Sequence, residues 1–108
     1  LYPKGPVKPG GLLDRLMGKY PNLYADMSAG SGYGALTRDE KFTAGFIERH
    51  PRQFLFGSDC PCFDGKGGSF NGVCYSTRLQ AFLRRLVTDP KKLQDIFFNN
   101  AMRALKGS

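Results

Sequence analysis

The chain has 108 residues, the size of one domain, and its apolar content of 41%, with nine Phe and five Tyr, excludes a disordered tail. Sixteen Lys and Arg against nine Asp and Glu give a net charge of +7, which raises the local concentration of anions. These positive residues are dispersed rather than clustered, so nucleic acid is not an expected partner.

Cysteine content and hydropathy bear on the compartment. Three cysteines are an odd number and too few for a disulfide-stapled secreted fold, so a reducing, cytoplasmic location is expected. No stretch approaches the ~18 apolar residues of a membrane helix, and no signal peptide opens the chain. Three prolines and two glycines in the first ten residues predict an irregular loop that enters from a preceding segment.

The first half of the chain predicts two helices separated by a strand and a loop. Residues 12–17 repeat Leu and Met at helical spacing, and Gly18 stands where that helix would end. Asn22–Ser28 is apolar except for Asp26, which favours a strand buried on both sides, and a flexible glycine-rich loop is expected over 29–34. The second helix is predicted to begin at a capping box formed by Thr37 and Glu40. It would carry an apolar stripe of Phe42, Phe46 and Ile47, and it would end on the solvent side at His50, before Pro51.

The second half predicts a strand, a long loop and two helices. Gln53–Gly57 is a short apolar run and indicates a second buried strand, followed by a loop to about Ser76 whose glycines at 64–72 suggest a mobile substrate-side segment. Asp89 and Pro90 are the cap and first residue of a last helix. The apolar stripes of these two helices are Leu79, Phe82, Leu83, Leu86 and Val87, and then Leu93, Ile96, Phe97, Ala101 and Leu105.

This alternation predicts an α/β fold with parallel strands. Two such strands cannot form a covered sheet alone, so the chain is expected either to self-associate or to belong to a larger barrel or doubly wound sheet.

Asp59 is the main candidate for chemistry because it follows the apolar run Phe54–Gly57. In α/β barrels the reactive groups lie at the C-terminal ends of the strands, where Asp59 and Ser28 would emerge together if the two strands are parallel neighbours. The alternative is that Asp59 only caps a turn before Pro61.

Three segments carry a resemblance to a known family: residues 21–28 (PNLYADMS), 56–59 (FGSD) and 100–105 (NAMRAL). In order and spacing they resemble the last strands and closing helix of the amidohydrolase-related family, which includes carboxylate-forming hydrolases and non-oxidative decarboxylases such as aminocarboxymuconate semialdehyde decarboxylase. The resemblance covers nearly the whole chain. It implies that residues 1–108 are the C-terminal part of a TIM-type (β/α)8 barrel.

The resemblance also implies roles. Asp59 would bind a catalytic divalent metal, zinc in the first instance, or take a proton from metal-bound water. Ser28 would face a small carboxylate-bearing or cyclic substrate. The family's His-x-His pair and its other histidine ligands are absent, and His50, at a helix end, is not an expected ligand. The chain is therefore expected to be inactive without the N-terminal part of the barrel.

Two features compete with this assignment as sites. Cys60, Cys62 and Cys74, with Asp59 adjacent, have donor types suited to structural zinc, although Cys-x-Cys is not the usual spacing and reduced thiols near a barrel mouth are the alternative. The glycines of 29–34 match neither a P-loop nor a dinucleotide fingerprint.

The function is thus predicted as part of a metal-dependent hydrolase. The alternatives are a decarboxylase of the same superfamily, or a non-catalytic basic interaction module that uses Arg84, Arg85, Lys91 and Lys92.

Overall fold

The computed structural model describes residues 4–60, 62, 64, 66 and 74–106. The segment expected to be a mobile loop, 64–72, lies largely outside these residues. In chain order the elements are α1 (Leu12–Lys19), β1 (Ala25–Asp26), α2 (Ala29–Thr37), α3 (Glu40–Arg49), β2 (Phe54–Leu55), α4 (Tyr75–Leu86), α5 (Pro90–Gln94), a π-helical turn (Asp95–Asn99) and α6 (Asn100–Leu105).

The two strands are parallel neighbours, which confirms the mixed α/β class. Ala25 pairs with Phe54 and Asp26 with Leu55. Both strands are shorter than the apolar runs that predicted them, but the pairing continues beyond them, since the Met27 N–H donates to the Leu55 carbonyl at 3.3 Å. The described residues contain this two-stranded sheet and are otherwise mostly helical.

Among the described residues, helices cover one face of the sheet. Met27 and Phe54 are buried against the helices, whereas Asp26 is exposed and Leu55 is half-buried. The expectation that β1 is buried on both sides is therefore wrong for the described structure. Side chains alternate between the two faces of a strand, and the described helices pack against the face that contains Met27. The opposite face is left for something outside the described residues to cover.

The outer edge of β2 is already occupied. The Phe56 N–H donates to the Ile96 carbonyl in the π-helical turn at 3.1 Å. The Asn100 side-chain amide, which is fully buried, donates to the Phe54 carbonyl at 2.9 Å and to the Pro51 carbonyl at 3.0 Å. A wide π turn leaves a carbonyl free for such a contact. The last helical segment thus takes the position of a neighbouring strand, and β1 has the open edge.

One apolar core holds the helices to the sheet. The stripe predicted for α4 is confirmed, with Leu79, Phe82 and Leu83 buried. In the last helical segment Ile96 is buried, but Leu105 is 82% exposed although the same stripe predicted it to be buried. Leu105 lies in the final helical turn, beyond the reach of the described core. The core residues are Met17, Met27, Leu36, Ile47, Phe54, Leu79, Phe82, Leu83, Val87 and Ile96.

The glycine-rich segment is a helix and not the expected flexible loop. Ala29–Thr37 forms α2 despite three glycines, because Leu36 is buried in the core and Tyr33 packs against Phe82 with ring centroids 6.4 Å apart. Gly32 has a packing role, since a Cβ there would overlap the backbone of Met27. Tertiary contacts outweigh the weak helix propensity of glycine.

The start of α3 is capped by Asp39 and not by the predicted Thr37–Glu40 box. The Asp39 carboxylate accepts the Phe42 N–H at 3.1 Å, while Thr37 donates to the Tyr33 carbonyl inside α2. Thr37 is unavailable because α2 extends through it. By contrast, the cap predicted for α5 is confirmed, since Asp89 accepts the Lys91 N–H at 2.9 Å and Pro90 is the first helical residue.

His50 ends α3 as predicted, but it does not face solvent. Its side chain is buried, and Nε2 lies 2.6 Å from an Asp14 carboxylate oxygen in α1. Arg49 contacts the other oxygen of Asp14 at 2.5 Å. Helix α1 continues past Gly18, its predicted end, to Lys19.

No helix of the described part of the chain has both the length and the apolarity that crossing a membrane requires.

Candidate functional site

The residues that follow the two strands lie side by side. The Ala29 N–H donates to the Ser58 carbonyl at 2.7 Å, so the peptide after Ser28 is held against the peptide before Asp59. Parallel pairing places the carboxyl ends of both strands at one edge of the sheet. We call this the C-terminal edge. It brings together the two residues that the sequence singled out, Ser28 and Asp59.

The Ser28 hydroxyl is held in place by Asp26. It donates to the Asp26 carboxylate at 2.5 Å, and the Ser28 N–H donates to the same oxygen at 3.0 Å. Gly57 lies directly opposite, and a Cβ at this position would overlap the Ser28 hydroxyl. Sequence reasoning treated Asp26 only as an interruption of an apolar strand. The available signal was its two-residue spacing from Ser28, which places both side chains on one face.

Asp59 is exposed and its backbone is left-handed, with φ of 48°. Aspartate tolerates this conformation better than most residues. In the described part of the chain no group hydrogen-bonds its carboxylate, and the turn is capped by Ser58 instead, whose hydroxyl oxygen accepts the Cys60 N–H at 3.3 Å. Within the described residues, the hydrogen bond of this turn is thus made by Ser58 and not by the Asp59 carboxylate. Ala29, after the other strand, also has positive φ, at 67°.

The three cysteines converge beside this edge. The sulfur atoms of Cys60, Cys62 and Cys74 all lie within 4.8 Å of one another, and no disulfide joins them. They come from both sides of the long loop, the first two from the segment after β2 and Cys74 from the N-cap of α4. The set is close enough to hold a metal ion, whereas Asp59 is not a member of it.

Hydrogen-bond donors point at the sulfurs. The Tyr75 N–H donates to Cys60 Sγ at 3.3 Å. The Thr77 hydroxyl and N–H donate to Cys74 Sγ at 3.3 and 3.5 Å. These donors lower the pKa of the Cys74 thiol to about 7, the Thr77 hydroxyl most, then the Thr77 N–H and the two neighbouring thiols.

The basic residues considered as an interaction surface are largely engaged within the chain. Arg85 forms an ion pair with Glu40 at 2.6 Å, and Lys92 forms one with Glu48 at 2.6 Å. The Arg84 guanidinium stacks over the Phe97 ring at 5.2 Å from its centroid. Three of these four cations thus have contacts within the chain.

An apolar cleft of about 350 Å³ borders β1, and its lining includes neither Asp59 nor the cysteines. It lies between the N-terminal segment and the first three helices, and Ala25 and Asp26 form part of its wall. Among its other lining residues are Leu12, Leu36, Phe42 and Phe46. The surface of the cleft is mostly apolar, although Lys8, Asp14, Asp26, Arg38 and Thr43 also line it. It adjoins β1, which pairs only with β2 within the described residues.

Comparison with family models, with curated proteins and with solved structures finds no match to this chain.

Proposed function

We propose that this chain is the C-terminal part of a metal-dependent hydrolase of the amidohydrolase type, built on a (β/α)8 barrel and acting on a small carboxylate-bearing or cyclic substrate. The observation that carries the proposal is the uncovered sheet face, which presents Asp26 and Ser28 at its carboxyl end beside Asp59.

The distribution of burial supports a barrel. Helices cover one face of the parallel pair, and the other face is open. In a barrel the helices form the outer ring, and the second face lines the interior. The open edge of β1 and the apolar cleft beside it are the places for an adjoining strand and its helix. To close the barrel on the other side, the Phe56 N–H would have to leave the Ile96 carbonyl and pair with the first strand of the barrel.

Asp59 would take the proton from a metal-activated water or bind the metal itself, because its carboxylate is exposed and has no competing hydrogen bond in the described part of the chain. One carboxylate does not hold a catalytic zinc, which takes three protein ligands. His50 precedes β2, at the opposite end of the strand, and is engaged by Asp14. The remaining ligands would come from the N-terminal part of the barrel.

Replacing the proposed base tests the assignment. In the complete protein, Asp59→Asn should lower turnover of carboxylated cyclic amides and lactones by about 10²–10⁴-fold, because the amide keeps the shape but removes the charge. Thermal stability in metal-free buffer should stay close to that of the wild type.

Asp89→Asn is the matched control, since asparagine caps a helix as well as aspartate does and Asp89 lies outside the C-terminal edge. It should leave turnover unchanged. Full turnover and full metal content in Asp59→Asn would show that Asp59 is not the base, and the proposal would fail.

A further inference from the structure

We propose that Cys60, Cys62 and Cys74 form a three-thiolate binding site for a soft divalent cation, zinc above all, separate from any metal bound through Asp59. This inference does not depend on the proposed hydrolase activity, since it uses a different ligand set.

The geometry is close to what zinc requires. Tetrahedral coordination with Zn–S bonds of about 2.3 Å places sulfurs about 3.8 Å apart. The three sulfurs lie within 4.8 Å of one another, so each has to shift by less than about an ångström. Cys60 and Cys62 are half-buried and Cys74 is buried, which leaves the cluster partly open to an entering ion.

The surroundings fit anionic sulfur. Three donors, the Tyr75 N–H, the Thr77 N–H and the Thr77 hydroxyl, point at Cys60 or Cys74. Outer donors of this kind orient metal-bound thiolates and reduce their charge density. The cluster also sits at the N-terminus of α4, a helix of 12 residues whose positive end favours negative charge.

The charge of the complex follows from its ligands. Zinc binding to the three thiols would release three protons and leave a complex with one net negative charge. Soft sulfur donors select zinc over magnesium or calcium. Three protein ligands leave the fourth position to water.

Such an ion would connect two elements that the chain separates. Cys60 and Cys62 follow β2, and Cys74 is the N-cap of α4, so the ion would hold the end of β2 and the start of α4 together beside the C-terminal edge. Asp59 is not part of this ligand set.

The test uses the 108-residue chain, reduced and kept without oxygen, titrated with Cd²⁺ alone and then with Zn²⁺ in competition. We expect one Cd²⁺ per chain, an ultraviolet thiolate-to-metal band, and protection of all three thiols from alkylation that a chelator reverses. Changing any one cysteine to serine should weaken binding by about 100-fold or more. Asp59→Asn should bind like the wild type.

Several results would overturn the proposal. A thiol that stays reactive in the metal complex would exclude a three-thiolate site. Loss of the band in Asp59→Asn would show that the Asp59 carboxylate is part of the same metal site. Binding that survives all three serine changes would show that the metal binds elsewhere. Circular dichroism of each serine variant should match the wild type, and if one variant unfolds, alkylation of the three thiols in the wild-type metal complex decides the matter independently.

Discussion

Asp14 joins two helices through two side chains of α3 and its C-cap, Arg49 and His50. One carboxylate oxygen accepts from Arg49 at 2.5 Å, and the other lies 2.6 Å from His50 Nε2. The His50 ring packs edge-on against Phe46, with centroids 5.6 Å apart. The pair therefore fixes α1 against the end of α3 at the start of β2.

These contacts predict a pH dependence of stability. The Arg49 hydrogen bond, and then the one with His50, hold the pKa of Asp14 below its usual value although burial opposes them. The unfolded chain therefore protonates Asp14 first as the pH falls, so the stability from this pair is present above about pH 4 and is lost below it. Asp14→Asn should cost about 1–2 kcal/mol at pH 7.

Urea denaturation midpoints between pH 7 and pH 3 check this expectation. The difference between wild type and Asp14→Asn should shrink as the pH falls below about 4. Glu48→Gln is the control, since Glu48 is 68% exposed and its pair with Lys92 lies at the surface. A difference that stays constant down to pH 3 would contradict the assignment.

For single residues, the sequence predicted those features that depend on neighbours close in the chain. Asp59 follows an apolar strand, and that position alone placed it at the C-terminal edge. The hydrogen-bond partners of the His50 ring and of the Gln53 and Asn100 side-chain N–H groups are 30 or more residues away in the chain, so no local pattern indicated them. Gln53, for example, donates to the Met17, Tyr20 and Leu23 carbonyls and completes the end of α1.

Among the elements, α2 offers a matched pair of glycines. A methyl group on Gly32 would overlap the Met27 backbone, whereas nothing lies within 4 Å of one on Gly34. Gly34→Ala should raise stability by about 0.5–1 kcal/mol through helix propensity, and Gly32→Ala should lower it by about 1–3 kcal/mol through overpacking.

Thermal unfolding of the two variants in parallel with the wild type measures both effects. The opposite signs are the informative result, because each change is the same addition of one methyl group within one helix. If both variants were stabilised, α2 would not pack against the end of β1 as described.

The mistaken loop at 29–34 shows where local reasoning failed. Glycine content predicted flexibility, but the segment is held as a helix by Tyr33 and Leu36 on the core side and by Tyr75 over Gly30. The two helices of the second half were predicted correctly because their apolar spacing and the Asp89–Pro90 cap are local signals. The α3 cap was mispredicted for the same reason. Because Thr37 is the last residue of α2, it cannot cap α3, and Asp39 does so instead.

For the whole molecule we predict self-association of the isolated chain. Ala25 and Met27 direct their N–H groups to β2, so the Asp26 N–H points away from β2, toward the open edge beside the apolar cleft. Sedimentation velocity should show an oligomer. Asp26→Pro, which removes that N–H, should shift the chain toward monomer, whereas Asp26→Ala, which removes only the carboxylate, should not.

A wild-type monomer that unfolds cooperatively would contradict this prediction. It would mean that the uncovered face and the cleft are stable in water, and that the chain does not need further strands.

The contacts made by Ile96 and Asn100 on β2 also limit how far association can proceed. A sheet with two free edges can add chains at both ends and grow without limit, as fibrils do. Here the last helical segment blocks one edge, so two copies that meet through β1 would form a four-stranded sheet ending in a protected β2 on each side. Such an interface is self-complementary and closes after one step. If the chain associates through β1, we therefore expect association to stop at the dimer.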